Sequence, residues 1–382
     1  MRILLNLIIA RSEGCGATQI SLNFLRATLK DDEIEWIYLL SDEFYGLVKS
    51  EMSHIASDHI YVYPRQPKLA SYNMVQKAIY KIEEEQKPDV VYTVLAPSYF
   101  KFRTPEVMRC CNAWEVIERS NPAFKTLDLK TICFFTLKNF LVRKLMKRAY
   151  GFVTQTETAK KGIVRVTKVS SDKVAVVPNV LPKIFRDIEV AKVPHEGIRI
   201  VYLASPAPHK NIESIPYLAH VLKEKYKHDN LKFIITVPEK YVKELNYIYS
   251  EAEKYNVRDC IENVGSQSQK QLIELYQGCD IGYFPSQLET FSATLLEYMK
   301  FSLPIVASDF SFNKDVAGDS ALYFDYRNID EAARIIDSLI CDGQLMRKMQ
   351  ELECERLRLY YNYNDHYHGI VSFLKKIGSK NV

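Results

Sequence analysis

Short apolar runs alternate with longer segments of helical period along the first half of the chain. The runs are ILLNLIIA (3–10), WIYLL (36–40), DVVYTVL (89–95), GFVTQ (151–155) and VAVVP (174–178). A segment of helical period lies between the first two, from Thr18 to Lys30. Runs of this length bounded by turn residues are typical of buried strands, and their alternation with helices predicts strand–helix–strand units around a parallel sheet.

The same pattern restarts in the second half of the chain. The runs here are IRIVYLA (198–204), LKFIITV (231–237), CIENVG (260–265), DIGYFP (280–285) and LPIVAS (303–308), with a helical segment over 269–279. Between the halves, residues 181–197 contain two prolines and a glycine and have no clear period. We therefore predict an α/β protein with a Rossmann-like domain over 1–180, a linker over 181–197 and a second Rossmann-like domain from residue 198. Two open parallel sheets joined once would enclose a cleft, and ligands of such sheets bind at the carboxyl ends of the strands.

The composition argues against a nucleic-acid partner, disulfide bonds and a membrane-spanning helix. The 382 residues are 47% hydrophobic, and 51 basic against 47 acidic residues give a net charge of only +4, so nothing favours a nucleic-acid partner. The eight cysteines show no Cys-x-x-Cys spacing and predict reduced thiols, as in a cytoplasmic protein. The first apolar run resembles a short signal peptide, but Asn6 interrupts it, and we expect a buried strand instead. No run approaches the roughly 18 apolar residues of a membrane-spanning helix.

The densest group of chemically useful residues runs from Pro285 to Glu297, from a strand end through a loop into a helix. We expect Ser292 or Thr290 to cap that helix, which leaves backbone N–H groups near 291–294 for an anion such as a diphosphate. Glu289 and Glu297 bracket the turn, and carboxylates accept hydrogen bonds from the paired hydroxyls of a sugar or ribose. Spacing alone favours the alternative, in which Glu297 is a solvated helix residue and Glu289 a surface loop charge.

Two further loops follow predicted strands. Lys210 lies between the strand that ends near Leu203 and a predicted helix, where an ammonium group would neutralise a phosphate, although an exposed turn lysine explains it as well. After the first strand, the segment 13–17 reads Glu-Gly-Cys-Gly-Ala, and its glycines permit close approach of a ligand. It lacks the third glycine of a dinucleotide-binding fingerprint.

Taken together, these residues resemble the retaining glycosyltransferases of family 4, which have the two-domain GT-B fold. The resemblance covers KVAVVPN (173–179) and about 198–349, and it is diffuse before that. It is carried by the His209-Lys210-Asn211 turn, by Asn263-Val264-Gly265 with the following helix, by the two glutamates and by LPIVASD (303–309). It implies that the second domain covers 198–358 and binds the donor. It also implies that 359–382 form a helix returning to the first domain.

The resemblance also assigns roles to individual residues. It implies that Glu297 holds the ribose hydroxyls, that Glu289 lies beside the donor sugar, and that Lys210 stabilises the leaving diphosphate. The implied set is Lys210, Glu289 and Glu297 for catalysis; Gly16, Asn211, Gly265, Thr290, Phe291, Ser292 and Ala293 for the nucleotide sugar; and Gly14, Cys15, Cys111 and Asn112 on the acceptor side. The chain departs from the family at 204–208, where an arginine is missing, and near Cys111, where a histidine is expected.

The implied reaction is retaining transfer from a UDP- or GDP-sugar to a hydroxyl of a saccharide or lipid-linked saccharide, in cell-surface polysaccharide synthesis. No protein nucleophile is implied. The sequence has no Asp-x-Asp pair for a divalent ion, so we expect neither a metal nor a cofactor. A sugar-nucleotide epimerase or hydrolase on the same fold and a non-catalytic two-domain binding protein remain alternatives.

Residues 126–150 combine aromatic and basic side chains in helical period. This pattern predicts either a peripheral contact with an anionic membrane, on its cytoplasmic face, or a core-packed helix with a solvated basic face. A membrane contact would suit an acceptor carried on a lipid.

Overall fold

The protein is described by a computed structural model that covers residues 1–12, 16–65, 69–203, 205–360 and 362–379. The chain divides into two compact units. The first contains Met1–Ile117, Cys133–Pro178 and the chain from Asn364, and the second contains Glu118–Ile132 and Asn179–Tyr363. The segment predicted as a linker, 181–197, therefore lies within the second unit.

The first unit is built around a parallel sheet of seven strands in the described residues. The strands are β1 (Arg2–Leu7), β2 (Glu35–Ser41), β3 (Ile60–Tyr63), β4 (Val90–Thr93), β5 (Glu106–Arg109), β6 (Gly151–Thr154) and β7 (Val174–Val176). The helices are α1 (Gly16–Thr28), α2 (Asp42–Val48), α3 (Leu69–Gln86), α4 (Ala113–Val116), α5 (Leu129–Met146) and α6 (Glu157–Thr167). The strand order is β3-β2-β1-β4-β5-β6-β7, with apolar side chains of the central strands buried under the helices.

The second unit contains a parallel sheet of six strands among the residues described. The strands are β8 (Ile198–Tyr202), β9 (Leu231–Ile235), β10 (Ile261–Asn263), β11 (Ile281–Phe284), β12 (Ile305–Ser308) and β13 (Ala321–Phe324). The helices are α7 (Lys183–Arg186), α8 (Ile215–Glu224), α9 (Val242–Lys254), α10 (Gln269–Gln277), α11 (Ala293–Lys300), α12 (Ser311–Ala317), α13 (Ile329–Cys341) and α14 (Gly343–Leu357). The strand order is β10-β9-β8-β11-β12-β13, and one continuous apolar core runs through the unit.

The last helix, α15 (Tyr363–Gly378), packs on the first unit. Its Tyr367 hydroxyl donates to Asp31, and its ring lies 5.5 Å from that of Phe24. The His366 ring donates to the carbonyl of Pro178 at 2.6 Å, and burial lowers the pKa of His366 to about 4, so the ring is neutral at pH 7. The chain therefore returns to the first unit after completing the second, as the resemblance implied.

The ten apolar runs found in the sequence all contain strands, and the first is strand β1. Three strands were not predicted: β3, β5 and β13, each of four residues. β5 reads Glu-Val-Met-Arg, and its charged ends are nonetheless buried, which no apolar pattern reveals. Within the described parts of the chain, no helix is long and apolar enough to cross a bilayer.

Candidate functional site at the carboxyl ends of the second sheet

The strand order of the second unit identifies where a ligand of this sheet would bind. From β8 the chain builds outward through β9 to β10, then returns to the other side of β8 and continues through β11 to β13. β8 and β11 therefore flank the point where the strand order reverses, which is where open α/β sheets bind ligands. The loop carrying Lys210 follows β8, and the segment from Pro285 to Glu297 follows β11. Lys210, Glu289 and Glu297 thus follow the two strands that flank this point.

The backbone around Lys210 is fixed by a short turn and by hydrogen bonds to two carbonyl groups. A short 3-10 turn over Pro208–Lys210 ends at Asn211, whose φ of 54° places it in the left-handed region. The Tyr202 hydroxyl, at the end of β8, donates to the Lys210 carbonyl at 2.7 Å. The Gln287 N–H donates to the His209 carbonyl at 2.7 Å, which joins the loop after β8 to the loop after β11.

The two loops bring opposite charges together. The Lys210 ammonium forms an ion pair with Glu289 Oε1, and the side chains are only 21% and 16% exposed. Ser286, fully buried, also donates to Glu289 Oε1, at 3.0 Å. Desolvation and the neighbouring Lys210 charge lower the pKa of His209 to about 4, so His209 is neutral at pH 7. Lys210 is therefore the cation that the 208–211 turn offers at this site.

The first turn of α11 differs from the expectation in one respect. Ser292 occupies the N-cap position, but its side chain makes no capping hydrogen bond. Backbone N–H groups that begin the helix are thus left without that side-chain acceptor, and together with the helix dipole they favour a negatively charged group. Ser292 and Thr290 are buried, Phe291 packs edge-on against Tyr360, and Ala293 is exposed.

Glu297 lies in the second turn of α11 and is part-buried. The Tyr276 hydroxyl, from α10, donates to Glu297 Oε2. Desolvation of the carboxyl raises the pKa of Glu297, and the Tyr276 hydrogen bond opposes that shift. With one oxygen held in this way, the other can accept from a hydroxyl of a ligand.

The helix carrying Glu297 is fixed against the sheet at the reversal point. The Tyr298 hydroxyl donates to the Val201 carbonyl of β8 at 3.0 Å, and its ring covers Gly282 of β11. A side chain at Gly282 would lie 2.4 Å from that ring, so the sequence requires glycine here for α11 to approach the sheet. The position of Glu297 is therefore set by close packing.

The remaining predicted donor residues lie farther out. Gly265 follows β10 with a φ of 68°, and open space surrounds the position of its missing side chain. The Asn263 side chain bridges both backbone groups of Val237, tying the ends of β10 and β9 together. Gly265 therefore follows the edge strand of this sheet, with β9 between that strand and β8.

The predicted acceptor residues belong to the first unit. Gly14 and Cys15 lie outside the described residues. Gly16, which was predicted to bind the nucleotide sugar, also belongs to the first unit, where it begins α1 with open space at the position of its missing side chain. Cys111 is half-buried after β5. Asn112 caps α4 by accepting from the Trp114 N–H at 3.2 Å, and its amide donates to Glu115 at 2.9 Å. The Asn112 side chain is thus already engaged in local structure.

Several residues that lie at these sites were not predicted from the sequence. Tyr276 gave no signal, because its contact with Glu297 spans 21 positions and two helices. Gln287 is buried, and its side-chain oxygen has no hydrogen-bond partner among the described residues. Glu115 is buried beside Cys110, and burial raises the pKa of Glu115 to about 7. The position of Glu115 between the apolar residues Trp114 and Val116 was the feature of the sequence that could have indicated its burial.

The architecture of the two units matches a known fold. Two parallel-sheet units with a returning C-terminal helix form the GT-B fold of glycosyltransferases. In agreement, the structure superposes on HepE from Anabaena in complex with UDP with a TM-score of 0.71 at 13% identity, covering 98% of this chain and 100% of that one. A glycosyltransferase from Rickettsia africae gives the same TM-score at 13% identity, covering 98% of both chains.

Sequence similarity to known proteins is concentrated in the second unit. Residues 184–353, which lie in the second unit, match the model of the family "Glycosyl transferases group 1". The chain is also 22% identical over 229 residues to the serotype-specific mannosyltransferase WbdA of Escherichia coli, across 56% of its own length. That alignment spans only 27% of the relative's length.

Proposed function

We propose that the protein transfers a sugar, with retention of configuration, from a UDP- or GDP-sugar to a hydroxyl of a saccharide or lipid-linked saccharide acceptor. The observation that carries this proposal is the meeting of Lys210 and Glu289 beside the start of α11, at the reversal point of the second sheet. A UDP complex of HepE and the mannosyltransferase activity in the name of WbdA support a nucleotide-sugar donor. We further propose a role in cell-surface polysaccharide synthesis.

The diphosphate of the donor would bind Lys210 and the first backbone N–H groups of α11. Both are fixed before binding, Lys210 by the Tyr202 hydrogen bond and α11 by Tyr298. Preorganised positive charge stabilises the negative charge that develops on a leaving phosphate. We therefore assign leaving-group stabilisation to these groups.

The ribose would bind through Glu297. Tyr276 orients that carboxyl by donating to Oε2, so Oε1 would accept from a ribose hydroxyl. Glu289, eight residues earlier on the loop, would accept from a hydroxyl of the donor sugar while retaining contact with Lys210. This arrangement uses all three predicted catalytic residues at one strand-end site.

In the proposed reaction, the bond between the anomeric carbon and the diphosphate oxygen breaks as the acceptor oxygen forms a bond to the same face. The acceptor proton passes to the leaving phosphate oxygen. No protein nucleophile is needed, and the rate would come mainly from positioning and charge stabilisation. The charge of Lys210 takes the part that a divalent ion has in other glycosyltransferases, so we propose that transfer requires neither metal nor cofactor.

Calorimetric titration with UDP and GDP tests the donor site directly. Micromolar binding of one nucleotide, unchanged by EDTA and at least about tenfold weaker in Glu297→Ala, is expected, since hydrogen bonds to a charged group contribute about 1.5–3 kcal/mol. Glu274→Ala, an exposed glutamate on α10, is the matched control. Failure of both nucleotides to bind would refute the donor assignment. Nucleotide release without a glycosyl product would indicate a hydrolase instead.

We also propose that the exposed face of α5 contacts an anionic membrane. Phe134, Leu137, Phe140 and Leu141 are each more than half exposed, and no acidic residue occurs between 129 and 150. Just beyond α5, Lys147 and Arg148 line a cavity of about 860 Å³, together with Lys101, Arg103, Lys168 and Lys173. Glu106 is the one carboxylate among the residues that line this cavity. Apolar side chains beside an excess of positive charge suit a bilayer containing anionic lipid, and liposome binding tests this.

A further inference from the structure

A histidine, an aspartate and a cysteine lie close together near the amino end of β9, on the side of the second sheet opposite the strand ends that carry Lys210 and Glu289. His228 lies between α8 and β9, just before the amino end of β9, whereas Asp337 and Cys341 are one turn apart at the end of α13. One ligand atom from each residue lies within 4.8 Å of the other two. The donor site follows the carboxyl ends of the strands, so this cluster is separate from it.

The distances are close to those of a tetrahedral metal site. His228 Nε2 lies 2.9 Å from Asp337 Oδ1, and Cys341 Sγ lies 3.6 Å from the same oxygen. Ligands at about 2.0–2.3 Å from a zinc ion at tetrahedral angles are separated by about 3.3–3.7 Å. To admit an ion, the His228 Nε2–Asp337 Oδ1 separation would have to lengthen by about 0.5 Å.

The chemistry of the three donors selects the ion. Imidazole nitrogen, carboxylate oxygen and thiolate sulfur together suit Zn²⁺ rather than Mg²⁺ or Ca²⁺, which prefer oxygen alone. The His228 and Asp337 side chains are only 15% and 25% exposed, while Cys341 is exposed, so an ion has a path of entry. A deprotonated Cys341 and Asp337 would supply two negative charges to balance the divalent cation.

We propose that His228, Asp337 and Cys341 bind one Zn²⁺ ion, with the fourth position open to water. Binding would release the thiol proton of Cys341 to solvent as the sulfur–zinc bond forms. The ion would tie the connection between α8 and β9 to the end of α13 and so stabilise the second unit. This site has no part in the proposed sugar transfer, since it lies before the amino end of β9 whereas Lys210, Glu289 and Glu297 follow the carboxyl ends of β8 and β11.

The alternative is a hydrogen-bonded cluster that needs no metal. His228 and Asp337 share a hydrogen bond, and the Cys341 thiol donates to Asp337 one turn back on the same helix. Anaerobic titration of the reduced, metal-stripped protein with Co²⁺ distinguishes the two. A thiolate–cobalt charge-transfer band in the near ultraviolet, saturating at one equivalent and lost on addition of Zn²⁺, is expected.

Variants identify the ligands. Cys341→Ser should abolish the charge-transfer band, and His228→Gln should weaken Zn²⁺ binding by at least about tenfold, since even residues behind a metal ligand contribute that much. Cys354→Ser, an exposed thiol on α14, is the matched control and should leave the band unchanged. Absence of the band in the wild type, or its persistence in Cys341→Ser, overturns the proposal. Nucleotide titration of the same samples reports separately on the donor site.

Discussion

Lys210 and Glu289 form an ion pair, so the contribution of each residue to ligand binding depends on the other. Both side chains are largely withdrawn from water, so neither charge is simply solvated. A diphosphate that approaches Lys210 meets an ammonium with three donors, one of them already directed at Glu289. Binding therefore shares Lys210 between a carboxylate and a phosphate, and the two residues should respond differently to substitution.

Lys210→Ala should weaken nucleoside diphosphate binding roughly 10- to 100-fold, because a charge-assisted contact of about 1.5–3 kcal/mol is lost. The variant also leaves Glu289 without its partner, which adds repulsion. Glu289→Gln should bind the nucleotide at least as tightly as the wild type, since the competing charge is gone, but should transfer sugar poorly. Titration with the nucleotide and a turnover assay measure the two effects.

Lys270→Ala, an exposed lysine on α10, provides the matched control for loss of a positive charge. Equal losses of nucleotide affinity in Lys210→Ala and Glu289→Gln would contradict this division of roles. That outcome would mean that the pair only holds the two loops together.

At the scale of a single element, α5 has two faces with different environments. Asn139, Val142 and Met146 are buried, and Phe135 stacks on Trp114 at 4.9 Å. Phe134 and Phe140 on the other side are 64% and 65% exposed. The sequence offered a core helix or a membrane-binding helix as alternatives, and the structure contains a core-facing side and an exposed apolar side on the same helix.

Liposomes rich in anionic lipid should retain the protein at low salt and release it at high salt, because basic residues near such a surface contribute about 1 kcal/mol each. The double substitution Phe134→Ser and Leu137→Ser should reduce retention even at low salt, since it removes the apolar part of the contact. Met74→Ser, which alters a 62% exposed side chain on α3, is the matched control. Equal retention of all three proteins would rule out α5 as the contact.

At the scale of the whole molecule, the sequence predicted the two-sheet architecture because buried parallel strands are continuous apolar runs bounded by turns. It missed β3 and β13, whose side chains are only partly buried, and β5, which begins and ends with a charged residue. The loop positions of Lys210 and Glu289 were predictable, since each follows such a run. Their ion pair and the Tyr276–Glu297 contact were not, because they depend on which strands become neighbours and on how closely α11 packs over Gly282.

The stability of the first unit should depend on a carboxyl at the start of β5. Glu106 is buried and accepts from Thr93, and burial raises the pKa of Glu106 to about 7 from an ordinary value of 4.5. Between those two values the folded state holds a proton that the unfolded state has released. Stability from this group is therefore complete below about pH 4.5 and is lost as the pH rises through 7.

Substituting Glu106→Gln keeps an acceptor for Thr93 but removes the titration. From pH 5 to pH 8 the wild type should lose about 2–3 kcal/mol of first-unit stability more than the variant, given 1.36 kcal/mol per pKa unit. Both tryptophans, Trp36 and Trp114, lie in the first unit, so urea unfolding followed by tryptophan fluorescence reports on that unit. Glu85→Gln, an exposed glutamate on α3, should follow the wild type. Parallel pH profiles for the wild type and Glu106→Gln would contradict this prediction, because they would show that Glu106 is ionised in the folded protein well below pH 7. A basic side chain of the adjoining cavity would then have to stabilise the Glu106 carboxylate.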